Sequence, residues 1–222
     1  MLPRRLFIFG AGGHTKQVID IFKFRRVRIS GLFDDNKKPN DIYYHRYRVI
    51  DSISNAKKHL RKDDLLFCGI GDNKIRERIF DEFKEFTFAN CISPNAIVSK
   101  TAKLGQGNYI GNFTNVMPDS IVGSHNIIND ASMVGHDAQL GDFNLIAAYV
   151  CCGAHSRTGN HNLLGINVSI NPTRLRIGNN NVIGSGTVIL HDIGDNEVVV
   201  GVPGKTIKEN LPINESFDIF DD

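Results

Sequence analysis

The chain has 222 residues, enough for one large domain or two modest ones, and 41% of them are hydrophobic, which argues against disorder over most of its length. Lys and Arg number 26 against 24 Asp and Glu, a formal charge of +2 that is too small for the basic footprint of sequence-independent nucleic-acid binding.

The opening MLPRRLFIFGAGG offers only four apolar residues, Leu6 to Phe9, before glycines intervene, so it lacks the apolar core of a signal peptide. No apolar run approaches the roughly 18 residues of a membrane span. Cys68, Cys91, Cys151 and Cys152 form neither a C-x-x-C pair nor a Cys/His zinc spacing. Reduced thiols, no metal, no membrane and a cytoplasmic setting are therefore expected.

Leu6 to Phe9 predicts a short buried strand, GAGG a turn, and the helical spacing of Val18, Ile19 and Phe22 a helix. RISGLFDDN reads as a second strand ending in Asp34 and Asp35. LLFCGIGDNKIRERIF repeats the strand, glycine turn and helix, with Gly69 and Gly71 in the turn. Residues 1–92 thus predict a small α/β domain with a Rossmann-like parallel sheet, whose ligands bind beyond the carboxyl ends of the strands.

Glycines at a strand-to-helix turn let backbone N–H groups approach an anion, and the helix N-terminus adds a favourable dipole. A tight turn without a ligand uses the same residues. A full dinucleotide fingerprint asks for a third glycine at position 15, where the chain has Thr15. A mononucleotide diphosphate suits the loop better than NAD, with Gly10, Gly12, Gly13, His14 and Gly71 as candidate contacts. Asp34 and Asp35 stand where a base or ribose would be met, or are a solvated turn.

From about Ile97 the chain repeats every six residues. From Val98 to Ile189, with one extra residue in NPTRLR, 14 of 16 sixth positions are Ile, Leu or Val, and glycine follows ten of the 16. That period suits a parallel β-helix whose short strands turn a corner every six residues, with aliphatic ladders inside and three sides to each coil. Residues 93–200 are assigned to this all-β domain, and 201–222 to a C-terminal segment with an acidic tail.

FGAGGHTKQVIDIF and GLFDDN, a hexapeptide solenoid carrying VGHDAQLGDF, and a terminal VVVGVPGK together resemble the sugar acyltransferase family of the bacillosamine and perosamine N-acetyltransferases and the sialic acid O-acetyltransferases. The resemblance implies a left-handed β-helix, usually trimeric. It implies a nucleotide-linked amino sugar in the α/β domain, acetyl-CoA along the solenoid, and His136 as general base with Asp137 as its acidic companion. A histidine, with an unperturbed pKa of about 6.5, can take the proton that a sugar amine loses on attacking a thioester. His136 outside this motif would read as a surface corner residue.

By the same resemblance Leu145, His155, Gly165, Gly184, Gly201, Pro203 and Lys205 are candidate coenzyme A contacts. Relatives carry H-I-A-P-G where this chain reads LIAAY, so Leu145 replaces their second histidine. Independently of the family, eighteen residues per coil place Asp137 between Asp119 and His155, which predicts that Asp137 engages His155 as well as, or instead of, His136. Three readings follow. They are an N-acetyltransferase of a nucleotide-linked 4-amino-4,6-dideoxy sugar, an O-acetyltransferase of a sialic acid-type sugar, and a sugar-nucleotide binder without catalysis.

Overall fold

The computed structural model describes residues 4–210; the acidic tail lies outside the described residues. A six-stranded sheet comes first, built from β1 (Leu6–Phe9), β2 (Ile29–Phe33), β3 (Ile42–Tyr43), β4 (Tyr47–Asp51), β5 (Leu65–Cys68) and β6 (Thr87–Phe88) in the order β3-β4-β2-β1-β5-β6. All its neighbours are parallel except the β3–β4 ribbon. β1 is fully buried because helices cover both faces of such a sheet. Helix α1 (Gly13–Phe24) buries Val18, Ile19 and Phe22 against it, as the spacing predicts. Helix α2 (Asn73–Glu82) starts where the Asp72 carboxylate accepts the Ile75 backbone N–H.

The solenoid follows as three stacks of two-residue strands. The first face runs from Cys91–Ile92 through Tyr109–Ile110, Ile127–Ile128, Leu145–Ile146, Leu163–Leu164 and Val182–Ile183 to Glu197–Val200. The second runs from Ile97–Val98 to Val188–Ile189, and the third from Lys103–Leu104 to Arg176–Ile177. Every step within the faces is parallel; only Lys205–Glu209 returns antiparallel, on Glu197–Val200. The even-spaced aliphatic positions, Ile110 through Ile189, form one buried core. Pairing of Arg157 with Arg176 shows that the extra residue of NPTRLR is absorbed within a single coil.

Buried asparagines finish the inside of one edge. Asn108, Asn126, Asn144, Asn162 and Asn181 stack, each later one donating its backbone N–H to the side-chain oxygen of the one below. Buried amides are tolerated only when paired in this way.

The two units meet along the first face. Cys91, Tyr109 and Ile127 share a core with Val18, Ile19 and Phe22. Beside it the buried Arg76 of α2 donates to six acceptors: the carbonyls of Ile70, Gly71, His125, Phe143 and Asn144, and the side-chain oxygen of Asn73. Burial lowers its pKa to about 10, so it still carries its charge near neutrality. His125 packs under Phe80 and stacks on Phe143 at 5.1 Å, and Phe143 stacks in turn on His161.

Replacing Arg76 with Leu strands carbonyls from both units in an apolar seam, each costing on the order of 1–3 kcal/mol when unpaired. We expect the melting temperature to fall by several degrees in differential scanning fluorimetry, with Arg76→Lys recovering only part of the loss.

Candidate active site

Two groups of candidate residues emerge, well separated. The first is the glycine cradle at the carboxyl end of β1. The Thr15 hydroxyl, in the place of a third fingerprint glycine, donates in the fold to the carbonyls of Gly10 (3.0 Å) and Gly69 (3.2 Å), tying the two glycine turns together. Gly10 needs its positive φ of 94°, whereas a side chain added at Gly12, Gly13 or Gly71 would meet nothing within 4 Å. Those three therefore border open space of the kind a ligand fills. Asp34 is spent on the loop itself: one carboxylate oxygen accepts the Ala11 N–H at 2.6 Å and the other the Asn36 N–H. Asp35 accepts the Ile53 N–H through one oxygen.

Sequence reasoning missed Tyr43, whose hydroxyl donates to the Gly12 carbonyl at 2.5 Å and whose pKa is pushed to about 12, first by burial. Its signal would have required foreseeing the β3–β4 ribbon. His14 turns away from the cradle and packs edge-on against Tyr109 at 4.5 Å. Its Nε2 is shielded without a partner, and burial, aided by the Arg76 charge, lowers its pKa to about 4.

The second group sits on the edge between the second and third faces. Corner residues of this edge, Asp119, Asp137, His155 and Arg174, all adopt φ near +60°. That left-handed turn is what lets neighbours in sequence touch: His136 Nδ1 lies 2.7 Å from Asp137 Oδ2. His155 Nδ1 approaches the same oxygen at 3.9 Å, an ion-pair distance but no hydrogen bond, and its ring stands edge-on to His136 at 5.0 Å. The three ligating atoms lie within 4.8 Å of one another, close enough to gather a divalent cation as well as a proton. Hydrogen bonding from His136, reinforced by the nearby imidazoles, holds the Asp137 carboxyl below its usual range. With Nδ1 engaged, His136 presents Nε2 to solvent.

The candidate coenzyme contacts do not gather around that pair. Leu145 is half-buried on the outside of the first face, and Gly165 and Gly184 follow that face's strands at its edge with the second. A side chain at Gly165 would strike the Ser185 backbone at 2.6 Å. Gly201 (φ 97°), Pro203, behind a cis peptide, and exposed Lys205 form the hairpin that ends the solenoid. His155 alone joins His136 and Asp137. Among the described residues no helix is long and apolar enough to cross a membrane.

Residues 5–83 match the family model of the PglD N-terminal domain. A UDP-N-acetylbacillosamine N-acetyltransferase of Bacillus subtilis (strain 168) is 28% identical over 110 residues, 48% of this chain and 51% of that one. The uncharacterized protein L142 of Acanthamoeba polyphaga mimivirus is 39% identical over 122 residues, 55% of this chain and 24% of that one. The chain thus spans about half or less of the length of these curated relatives. The acetyltransferase domain of PglB from Neisseria gonorrhoeae, solved with acetyl coenzyme A, superposes with a TM-score of 0.84 at 26% identity, covering 92% of this chain and 99% of that one. PerB from Caulobacter crescentus, solved with CoA and GDP-perosamine, superposes with a TM-score of 0.74 at 25% identity, covering 94% and 99%.

The buried histidines carry a pH consequence. His14 and His125 both have pKa values lowered to about 4, with burial the larger cause in each. An unfolded chain takes up these protons near its ordinary value of about 6.5. Between about pH 6.5 and 4 it therefore binds more protons than the folded one, and stability falls as the pH drops. Thermal melts across that window are expected to show the loss, and His125→Phe, which keeps the stack without the titrating ring, to shrink it.

Proposed function

We propose that this chain, which carries a PglD N-terminal domain and shares its fold with sugar N-acetyltransferases, moves an acetyl group from acetyl-CoA to the amine of a nucleotide-linked 4-amino-4,6-dideoxy sugar. The observation that carries the reading is the His136–Asp137 pair at 2.7 Å on an exposed corner, beside a solenoid like that solved with acetyl coenzyme A.

The pair suits the chemistry. Asp137 accepts from Nδ1–H and fixes the tautomer whose Nε2 is a free acceptor. The sugar amine adds its lone pair to the thioester carbonyl while His136 Nε2 takes its proton. Collapse of the tetrahedral intermediate breaks the C–S bond, and the imidazolium returns the proton to the departing thiolate, leaving an N-acetyl sugar and free coenzyme A. Leu145 offers no hydrogen bond to the developing oxyanion, so backbone N–H groups supply it.

Geometry also supports assembly. The glycine cradle leads into α1, which packs on the first face, whereas His136 lies on the edge opposite that face. An acceptor held in one copy therefore meets His136 of another, consistent with the homotrimer that the resemblance implies.

A thiol-release assay with acetyl-CoA and UDP-, GDP- and dTDP-linked 4-amino-4,6-dideoxy sugars tests the reaction. Turnover of one of them is expected, with kcat reduced about 10²–10⁴-fold in His136→Ala. Acetylation of free sialic acid-type sugars alone would replace the N-acetyl reading with the O-acetyl one.

Co-expression tests the shared site. His136→Ala and Gly12→Phe, the latter filling the cradle, are each expected to be inactive, whereas mixed assemblies regain part of the activity. Mixed assemblies as inactive as either parent would place both halves of the site in one copy.

A further inference from the structure

Above the His136–Asp137 pair the same edge turns strongly basic. A cleft of about 420 Å³ runs from Asp119 and Asp137 past His155 to Arg157, Arg174 and Arg176. Arg157 and Arg176 occupy directly paired positions of adjacent third-face strands, and Arg174 is the corner residue one rung above His155. Like charges placed opposite one another on a sheet are destabilising, so a third in the same concavity needs a reason.

No group among the described residues supplies one. Among the described residues none of the three guanidinium groups forms an ion pair. Four nearby carboxylates are committed elsewhere: Asp137 to His136, Asp192 to the backbone N–H of Arg176, and Asp142 and Asp195 to the backbone N–H groups of Ser124 and Asn179. Asp119, at the acidic end of the cleft, forms no ion pair with any of the three arginines. Three exposed guanidinium forks therefore line one cleft without an ion pair among the described residues.

We propose that Arg157, Arg174 and Arg176 form a subsite for phosphoryl oxygens of a substrate whose reacting end lies at His136. The placement rests on the acetyl-transfer reading of that histidine. Guanidinium forks match phosphate oxygens two at a time, which a single lysine cannot do. Arg174 stands two rungs, about 10 Å, along the axis from Asp137. That is the scale of a sugar ring between an amine and a sugar-linked diphosphate, and shorter than a pantetheine arm. The subsite would therefore select acceptors that still carry their nucleotide.

The probe is inorganic pyrophosphate, titrated calorimetrically into the full chain in a Gly12→Phe background so that the glycine cradle does not contribute. Binding is expected in that background and in an Arg28→Gln/Arg78→Gln control of equal net charge, and at least about tenfold weaker in Arg157→Gln/Arg176→Gln. Equal affinity in both double variants, or no binding at all, would overturn the subsite; thermal melts establish that each variant is folded.

In the otherwise wild-type enzyme, Arg157→Gln/Arg176→Gln is expected to raise KM for the nucleotide sugar about tenfold with a smaller change in kcat, if the phosphoryl group is the acceptor's. A rise confined to acetyl-CoA, absent with dephospho-CoA, would assign it to the coenzyme. Unchanged KM for both sinks the proposal. Arginine-dependent pyrophosphate binding in a chain that acetylates nothing would leave the subsite standing and remove the acetyl-transfer reading.

Discussion

The left-handed corner is the constraint from which the solenoid's surface chemistry follows. Each edge places non-glycine residues at φ near +60°, including Phe113, Ala131 and Tyr149 on one edge, His125, Phe143 and His161 on another, and Asp119, Asp137 and His155 on the third. Such conformations cost L-residues about 1 kcal/mol or more each. The stacking offsets that cost. A corner amide hydrogen-bonds down to the coil below, as His155 N–H does to the His136 carbonyl, and the buried asparagine ladder closes the remaining groups. Because corners repeat in register, side chains with no relation in sequence form columns: an aromatic stack, a cluster of histidine and aspartate, a run of charge.

Arg76 turns one of those columns into a joint. A lone buried guanidinium has to satisfy its donors with carbonyls, and the carbonyls available are those that the first-and-third-face edge exposes at His125, Phe143 and Asn144. Burial, with the same cation adding to it, depresses the basicity of His14 and His125 and keeps both rings neutral within the seam. The cradle and the solenoid are thus held by a charge whose partners are dipoles, a tie less open to screening by salt than a surface ion pair. Glu77 and His161, at 3.3 Å, add a polar contact at the rim.

What could be read in advance divides along this line. Hexad spacing exposed the coils, their single irregularity at NPTRLR and the vertical neighbourhood of Asp119, Asp137 and His155, because a solenoid converts sequence separation directly into height. It also gave the choice between His136 and His155 as Asp137's partner without resolving it; the corner conformation decides for His136, at 2.7 Å against 3.9 Å. The contacts of Tyr43, Thr15 and Arg76 were invisible, since each acts across the α/β sheet or between the two units, where no period relates the partners. His14 read as a phosphate-loop residue and instead packs on Tyr109, a contact that depends on how the units dock. The three arginines lie in the readable region and were passed over, because scattered at 157, 174 and 176 they look like ordinary surface residues until the coil brings them to one cleft.

The edge between the second and third faces is polarised along its axis. Asp119 and Asp137 come first, His155 is the hinge of sign, and Arg174 follows, with Arg157 and Arg176 alongside. A molecule that carries an amine at one end and phosphates at the other is a dipole of matching sense, so the column orients it before any contact is made. Orientation sets a conflict at the acidic end, where carboxylates favour the ammonium form, which cannot attack a carbonyl. In the proposed transfer His136 answers it by its position: its Nδ1 engages one Asp137 oxygen that an ammonium would otherwise claim, and Nε2 is the nitrogen left to take the proton that must leave.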